Sequence, residues 1–141
     1  MSNINIFVYG SLREGFYNYD KYLKGRVIKM TPAVLKNMDL YDLPYKGYPA
    51  ITKGTGIVQG EIFEVENYDD TINAIDVMEN FKGEGNPENE YHKTLLEVEH
   101  KDGTKEKCYV YFYNPSIDER FEKDAIYIAD GDWKKFKLAQ K

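Results

Sequence analysis

Two stretches of this 141-residue chain combine residue types that could do chemistry. The first holds Glu79. In the segment 67–81 the residues Ile72, Ile75 and Glu79 follow i, i+3, i+7 spacing, so on a helix they share one face. A carboxylate in or beside an apolar stripe is costly unless it is paired or protonated. Burial would raise its pKa towards neutrality, where a general acid/base works best. On periodicity alone the other reading is favoured: Glu79 at the soft edge of the stripe, near the helix end, reaching solvent. The second stretch is the strand-to-loop junction Tyr9-Gly10-Ser11-Leu12. Gly10 would let a ligand approach the backbone, and successive amides in such a bend can form an anion nest. Taken alone, the same junction reads as a plain turn.

Other chemistries lack their residues. In Gly10-Ser11-Leu12-Arg13-Glu14-Gly15 the following Phe16-Tyr17 stand where a phosphate-binding P-loop needs Lys and Ser/Thr. Ser11 has no nucleophile-elbow context. His92 and His100 fall on one face of one strand with no cysteine partner, so no metal site is expected. Cys108, the single cysteine, sits in an apolar and aromatic strand and reads as a buried, inert thiol.

The elements that must position these residues are short strands and one main helix. Residues 4–9 form a mostly apolar run that stops at Gly10, which predicts a buried strand and a turn. Residues 18–24 suit a short helix. Two strands are expected near 26–30 and 33–40, separated at Pro32, which cannot donate to a ladder. Residues 44–50 read as a surface loop and 54–65 as the best strand after the first. The helix over 67–81 has Asn67 or Asp69 as its cap, and Asp69-Asp70 suit its positive end. Gly83, Gly85 and Pro87 end it near Phe81. Strands at 91–99 and 105–113 flank Lys101-Asp102-Gly103-Thr104, where Asp-Gly signals a hairpin. Residues 118–128 suit a helix, and Gly131-Asp132-Trp133 is a terminal motif. The sum is an α+β arrangement: a small mixed β-barrel, closed or half-closed, with flanking helices.

Size and composition fit one domain over residues 1–141, with 30% charged and 42% hydrophobic residues. The net charge of −5 and dispersed basic residues give no phosphate-neutralising footprint, so no nucleic-acid partner is expected. The local cluster Lys134-Lys135-Phe136-Lys137 reads as a solvated tail. There is no signal-peptide pattern and no run near the ~20 apolar residues of a membrane span, so the expected location is the cytoplasm, without membrane association.

At five places the sequence resembles the gamma-glutamylcyclotransferase-like (AIG2-like) family. Val8-Tyr9-Gly10-Ser11-Leu12-Arg13 is similar to the Tyr-Gly-Ser/Thr-Leu signature ending its first strand. Tyr48-Pro49-Ala50 resembles its Tyr-Pro-Ala loop, and Val58-Gln59-Gly60-Glu61-Ile62-Phe63 its Val-x-Gly-Glu strand. Ile75-Asp76-Val77-Met78-Glu79 is similar to its Leu-Asp-x-x-Glu helix end, and Tyr91 with Lys93 to its Tyr-x-Arg. The motifs run in the family's order from about Ile6 to Tyr113. Two departures are Asn80, where Gly often follows the Glu, and Lys93 in place of Arg. The 82–90 loop is also long and acidic.

The resemblance implies the mixed barrel and a cofactor-independent reaction. The α-amine of a small gamma-glutamyl substrate attacks its own γ-carbonyl, giving 5-oxoproline and an amine or amino acid. Glu79 is implied as the general acid/base. The amides of Gly10, Ser11 and Leu12 would hold the substrate's carboxylate or oxyanion, and Tyr9 would shape the pocket. Tyr111, which shares a strand face with Tyr109 and Tyr113, would bring a hydroxyl; aromatic packing is the other reading of that face. Asp76 reads as a structural carboxylate. Gamma-glutamylamines would fit the same half-site, with the 82–90 loop lining the leaving-group side. A non-catalytic small-molecule binder or an interaction module on the same fold are the alternatives. Oligomeric state leaves no mark in the sequence.

Overall fold

The computed structural model describes residues 4–10, 12–13, 16 and 18–139. Its strands are β1 (Ile6–Val8), β2 (Val27–Leu43), β3 (Tyr48–Val65), β4 (Tyr91–His100), β5 (Lys105–Tyr113) and β6 (Ile126–Tyr127). The helices are α1 (Tyr68–Met78), α2 (Phe121–Asp124) and α3 (Trp133–Ala139), with a π-helical turn at Tyr19–Leu23 and a 3-10 turn at Pro115–Ile117.

The sheet closes on itself. β1 pairs antiparallel with β3 (Ile6↔Phe63) and parallel with β5 (Ile6↔Tyr109). β5 pairs with β4, β4 meets β2 at Ala33↔His100, and β2 and β3 form a long hairpin that returns to β1. This is a closed five-stranded mixed barrel, which leaves no free edges in the circuit. β6 adds to the far end of β2 through Tyr41↔Tyr127.

The long hairpin works because it is bent. The register shifts between Lys36 and Met38, where Asn37 adopts φ 66°. Asn37 alone stands against Gly54, Thr55 and Gly56 of β3, and such an irregularity changes which side chains face inward. Ala33 and Leu35 are buried before the shift, and Met38 and Leu40 after it, all in one cluster. That cluster draws on every barrel strand: Phe7, Leu35, Val58, Val98 and Val110. A second cluster lies on the opposite strand faces, where Ile6, Val8, Phe63 and Tyr111 meet Ile72 and Ile75 of α1. Both faces of β1 are thus covered, as its unbroken apolar sequence implies.

Several expectations are corrected. The two strands expected on either side of Pro32 are one strand, β2, with Pro32 opposite Glu61. Pairing from β2 to β4 starts only at Ala33, and in an antiparallel ladder alternate N–H groups point away from the partner, so a proline there fits. The 44–50 loop is shorter, since β3 begins at Tyr48. α1 starts at Tyr68 after a left-handed Asn67 (φ 46°) whose side chain makes no cap, and it stops at Met78 rather than Phe81. The segment 118–128 holds only the four-residue α2, then β6. The basic 134–137 stretch is not a loose tail but lies within α3: Phe136 packs on the barrel cluster and Lys137 Nζ stands 3.2 Å from Asp42. Among the described residues no helix is long and apolar enough to cross a membrane.

Gly60 marks a close approach of β3 to β1. A Cβ there would lie 2.1 Å from the carbonyl oxygen of Val8 and 2.7 Å from the Phe7 ring. Gly60→Ala is expected to lose about 1–3 kcal/mol, the usual cost of overpacking, read as a lower urea midpoint at unchanged m-value.

Candidate functional site

Where β1 ends, the chain turns sharply beside the C-terminal end of α1. Tyr9 is buried, and its hydroxyl donates to the Tyr111 carbonyl at 2.6 Å. Gly10 follows, and the Arg13 N–H donates to the Gly10 carbonyl at 2.9 Å, closing a turn. A Cβ on Gly10 would fall 2.4 Å from the Pro49 ring, so only glycine lets β3 approach here. Leu12 is buried in the cluster that holds α1. Ser11 lies outside the described residues.

Glu79 is the residue at which α1 stops. Its N–H still bonds the Ile75 carbonyl at 2.9 Å, and Asn80 then turns left-handed at φ 53°. That position after a helix end favours glycine, with asparagine next, which explains how Asn80 can stand in for glycine. Ile72 and Ile75 are buried as their spacing implied, and Glu79 sits half-buried at the end of their stripe rather than in free solvent.

A cavity of about 270 Å³ opens between these parts. Tyr9, Gly10 and Leu12 line one side, Glu79 and Asn80 another, and Tyr48, Glu90, Tyr91 and Tyr111 complete it. No lysine or arginine is among its described lining residues. Among the described residues nothing donates to the Glu79 carboxylate. Burial, then the charges of Glu90 and Asp76, push it up from 4.5 to about 8.

Glu90 faces the same cavity in the opposite state. Burial opposes its charge, but hydrogen bonds from Tyr48, Asn80 and Lys46 hold its carboxyl below the usual range. Asn80 Nδ2 and Lys46 Nζ each donate at 2.9 Å, and the Tyr48 hydroxyl also donates. Two neighbouring carboxyls with pKa values pushed apart is the pattern of a divided acid/base site.

Tyr111 reaches the cavity from β5, and its hydroxyl donates to Asp76 on α1. Lys93 Nζ, 3.2 Å from Asp76, neutralises that carboxylate. Of the other two tyrosines on the strand, Tyr113 instead donates to Asp118, and Tyr109 lies 4.6 Å from Lys93 Nζ, outside the cavity lining. Burial, with Glu106 adding to it, pushes Cys108 up to about 12, consistent with an inert thiol. Among the described residues no cluster of three His, Cys, Asp or Glu could hold a metal ion.

The cavity therefore brings together Tyr9, Gly10, Leu12, Glu79 and Tyr111. Sequence reasoning missed Glu90, Tyr48 and Tyr91 as lining residues. Tyr48 and Tyr91 lie in motifs already noted, but Glu90 closes an irregular loop with no periodic signal.

The gamma-glutamyl cyclotransferase, AIG2-like family model matches residues 6–135, nearly the whole chain. The chain belongs to this family. Gamma-L-glutamyl-butirosin B gamma-glutamyl cyclotransferase of Niallia circulans is 32% identical over 135 residues, which are 95% of this chain and 78% of that protein. Among solved structures, an AIG2-like protein from Mus musculus is 25% identical with a TM-score of 0.63, over 80% of each chain. An uncharacterised protein from Pyrococcus horikoshii is 25% identical with a TM-score of 0.65, covering 98% of this chain and 96% of that one. These two solved structures thus share the fold of this chain.

The raised pKa of Glu79 has a consequence for stability. Folding favours its protonated form, so its contribution is fully present below 4.5 and is lost as the pH rises through about 8. Glu79→Gln is therefore expected to raise the urea midpoint at pH 9 and to change it little at pH 4. An equal effect at both pH values would mean that the carboxyl is not held out of water.

Proposed function

We propose that this protein cleaves a gamma-glutamyl amide by intramolecular cyclisation. The observation that carries this reading is Glu79, half-buried and pushed up to about 8 by that burial, lining one cavity together with Tyr9, Gly10 and Leu12. Family membership supports it.

The substrate's α-ammonium must first lose a proton. At pH 7 roughly a tenth of Glu79 is ionised and can take it. The freed nitrogen then attacks the γ-carbonyl carbon, forming the fifth bond of a ring. The nucleophile is tethered, so no second reactant has to be brought in. The amides of Gly10 and Leu12, with that of Ser11, are proposed to bind the α-carboxylate or the oxyanion that forms. Glu79 then returns that proton to the leaving nitrogen as the amide C–N bond breaks. The ring nitrogen gives up its second proton to the Glu79 carboxylate so formed and from there to the released amine, and 5-oxoproline departs with an amine or amino acid. Tyr9 and Tyr111 shape the pocket, and Tyr111 fixes Asp76 beside Glu79.

The leaving group is proposed to lie towards Glu90. There the cavity continues into an open, polar groove lined by Lys46, Tyr48, Asn80, Lys82 and Glu88. The Niallia circulans relative is named for gamma-L-glutamyl-butirosin B. A polar leaving group suits the groove here, which is lined by charged and polar side chains.

The test is 5-oxoproline release from a panel of gamma-glutamyl dipeptides and gamma-glutamylamines. Glu79→Gln keeps the shape but cannot carry a proton, and kcat is expected to fall about 10²–10⁴-fold. Activity of the variant within a few-fold of the native protein would remove Glu79 from the chemistry. Binding of panel members without any 5-oxoproline would favour a binding protein on the same fold.

A further inference from the structure

The turn after β1 lines the cavity through Tyr9, Gly10 and Leu12, and its backbone amides can serve a ligand only if their positions are fixed. Arg13 ends that turn, and its side chain does not line the cavity. It runs into the protein, where Nε lies 3.0 Å and Nη2 2.7 Å from the two carboxylate oxygens of Glu61. Nη1 lies 2.9 Å from Asp132. The Arg13 and Glu61 side chains are 10% and 11% exposed. A two-pronged guanidinium–carboxylate pair in such surroundings is stiff in both direction and distance.

Both anchors are themselves fixed. Glu61 sits in β3 directly opposite Val8, the last residue of β1. Asp132 follows Gly131, whose φ is 70° and whose carbonyl accepts from the Gln59 N–H at 2.7 Å. A Cβ on Gly131 would lie 1.7 Å from the Ile57 carbonyl oxygen, so the chain crosses β3 in direct backbone contact. Asp132 also accepts from the Lys135 N–H at 3.0 Å, at the start of α3. Next to it the buried Trp133 donates to Asp42 at 2.8 Å and packs against Phe16 at 4.8 Å.

We propose that Arg13 is a positioning residue, and that Gly131-Asp132-Trp133 serves the site by clamping the 9–12 turn through it. The clamp holds the turn from behind, on the side away from the cavity, between a barrel strand and the C-terminal segment. The kinetic part of this inference rests on the reaction proposed above; the structural part does not.

The test uses the full chain with Asp132→Asn and Arg13→Lys. Asparagine keeps an acceptor for the Lys135 N–H but removes the charge facing Arg13. Lysine keeps the positive charge but cannot span two carboxylates. Where the amides hold the α-carboxylate, their lost positioning weakens ground state and transition state alike, so KM is expected to rise about tenfold or more with kcat within about threefold. Where they hold the oxyanion, kcat is expected to fall about tenfold or more, beyond any loss of folded fraction. The ¹H–¹⁵N resonances of Gly10 and Leu12 are expected to shift in both variants. A merely structural role would lower the apparent kcat in step with the folded fraction and leave KM unchanged, which would overturn the proposal. Unmoved Gly10 and Leu12 resonances in Asp132→Asn would also overturn it. If the native protein releases no 5-oxoproline, the proposed reaction fails alone, and the resonances still decide the clamp.

Discussion

Barrel closure depends on three residues. Ile6, Phe7 and Val8 pair with β3 on one side and lie parallel to β5 on the other, joining the two hairpins into a circuit. Because β1 is so short, the chain leaves the barrel wall at Tyr9. That exit puts the backbone of Gly10 against Pro49 and beside the end of α1. α1 in turn packs on the outer face of the same strand through Ile72 and Ile75. One closure contact therefore sets both sides of the cavity.

The electrostatics follow from that enclosure. Glu79 has lost water without gaining a described donor, and it feels two further carboxylates. Glu90 has lost water too, but three donors compensate it. Asp76 is tied up by Lys93 and Tyr111. Glu79 is thus the carboxyl pushed towards neutral pH, while Glu90 is held below its usual range. The lysine at position 93, where the family's pattern has arginine, still meets the carboxylate it faces.

Much of this was legible in the sequence because it is local. The apolar run of β1, the Asp-Gly hairpin and the Ile72–Ile75 spacing each reflect a single element's periodicity. The resemblance named Glu79 and the 9–12 turn, but periodicity left Glu79 at an ambiguous stripe edge. Its environment comes from partners that the local pattern does not contain, such as Glu90, fixed by Tyr48 from 42 residues away. The bulge at Asn37 was invisible for a similar reason: it is a mismatch between two strands, not a property of one. Pro32 misled because its missing donor matters only where a partner strand would use it. Gly131-Asp132-Trp133 was visible as a motif, but its contact with Arg13 spans 119 residues.

The central claim is that the fold holds the Glu79 carboxyl protonated to near neutral pH, facing the turn after β1. A ¹³C NMR titration of the Glu79 δ-carboxyl in the intact protein tests it most directly. The account predicts a midpoint near 8. A midpoint at the ordinary 4.5 would contradict it, because a carboxyl that ionises there is not held out of water by the fold.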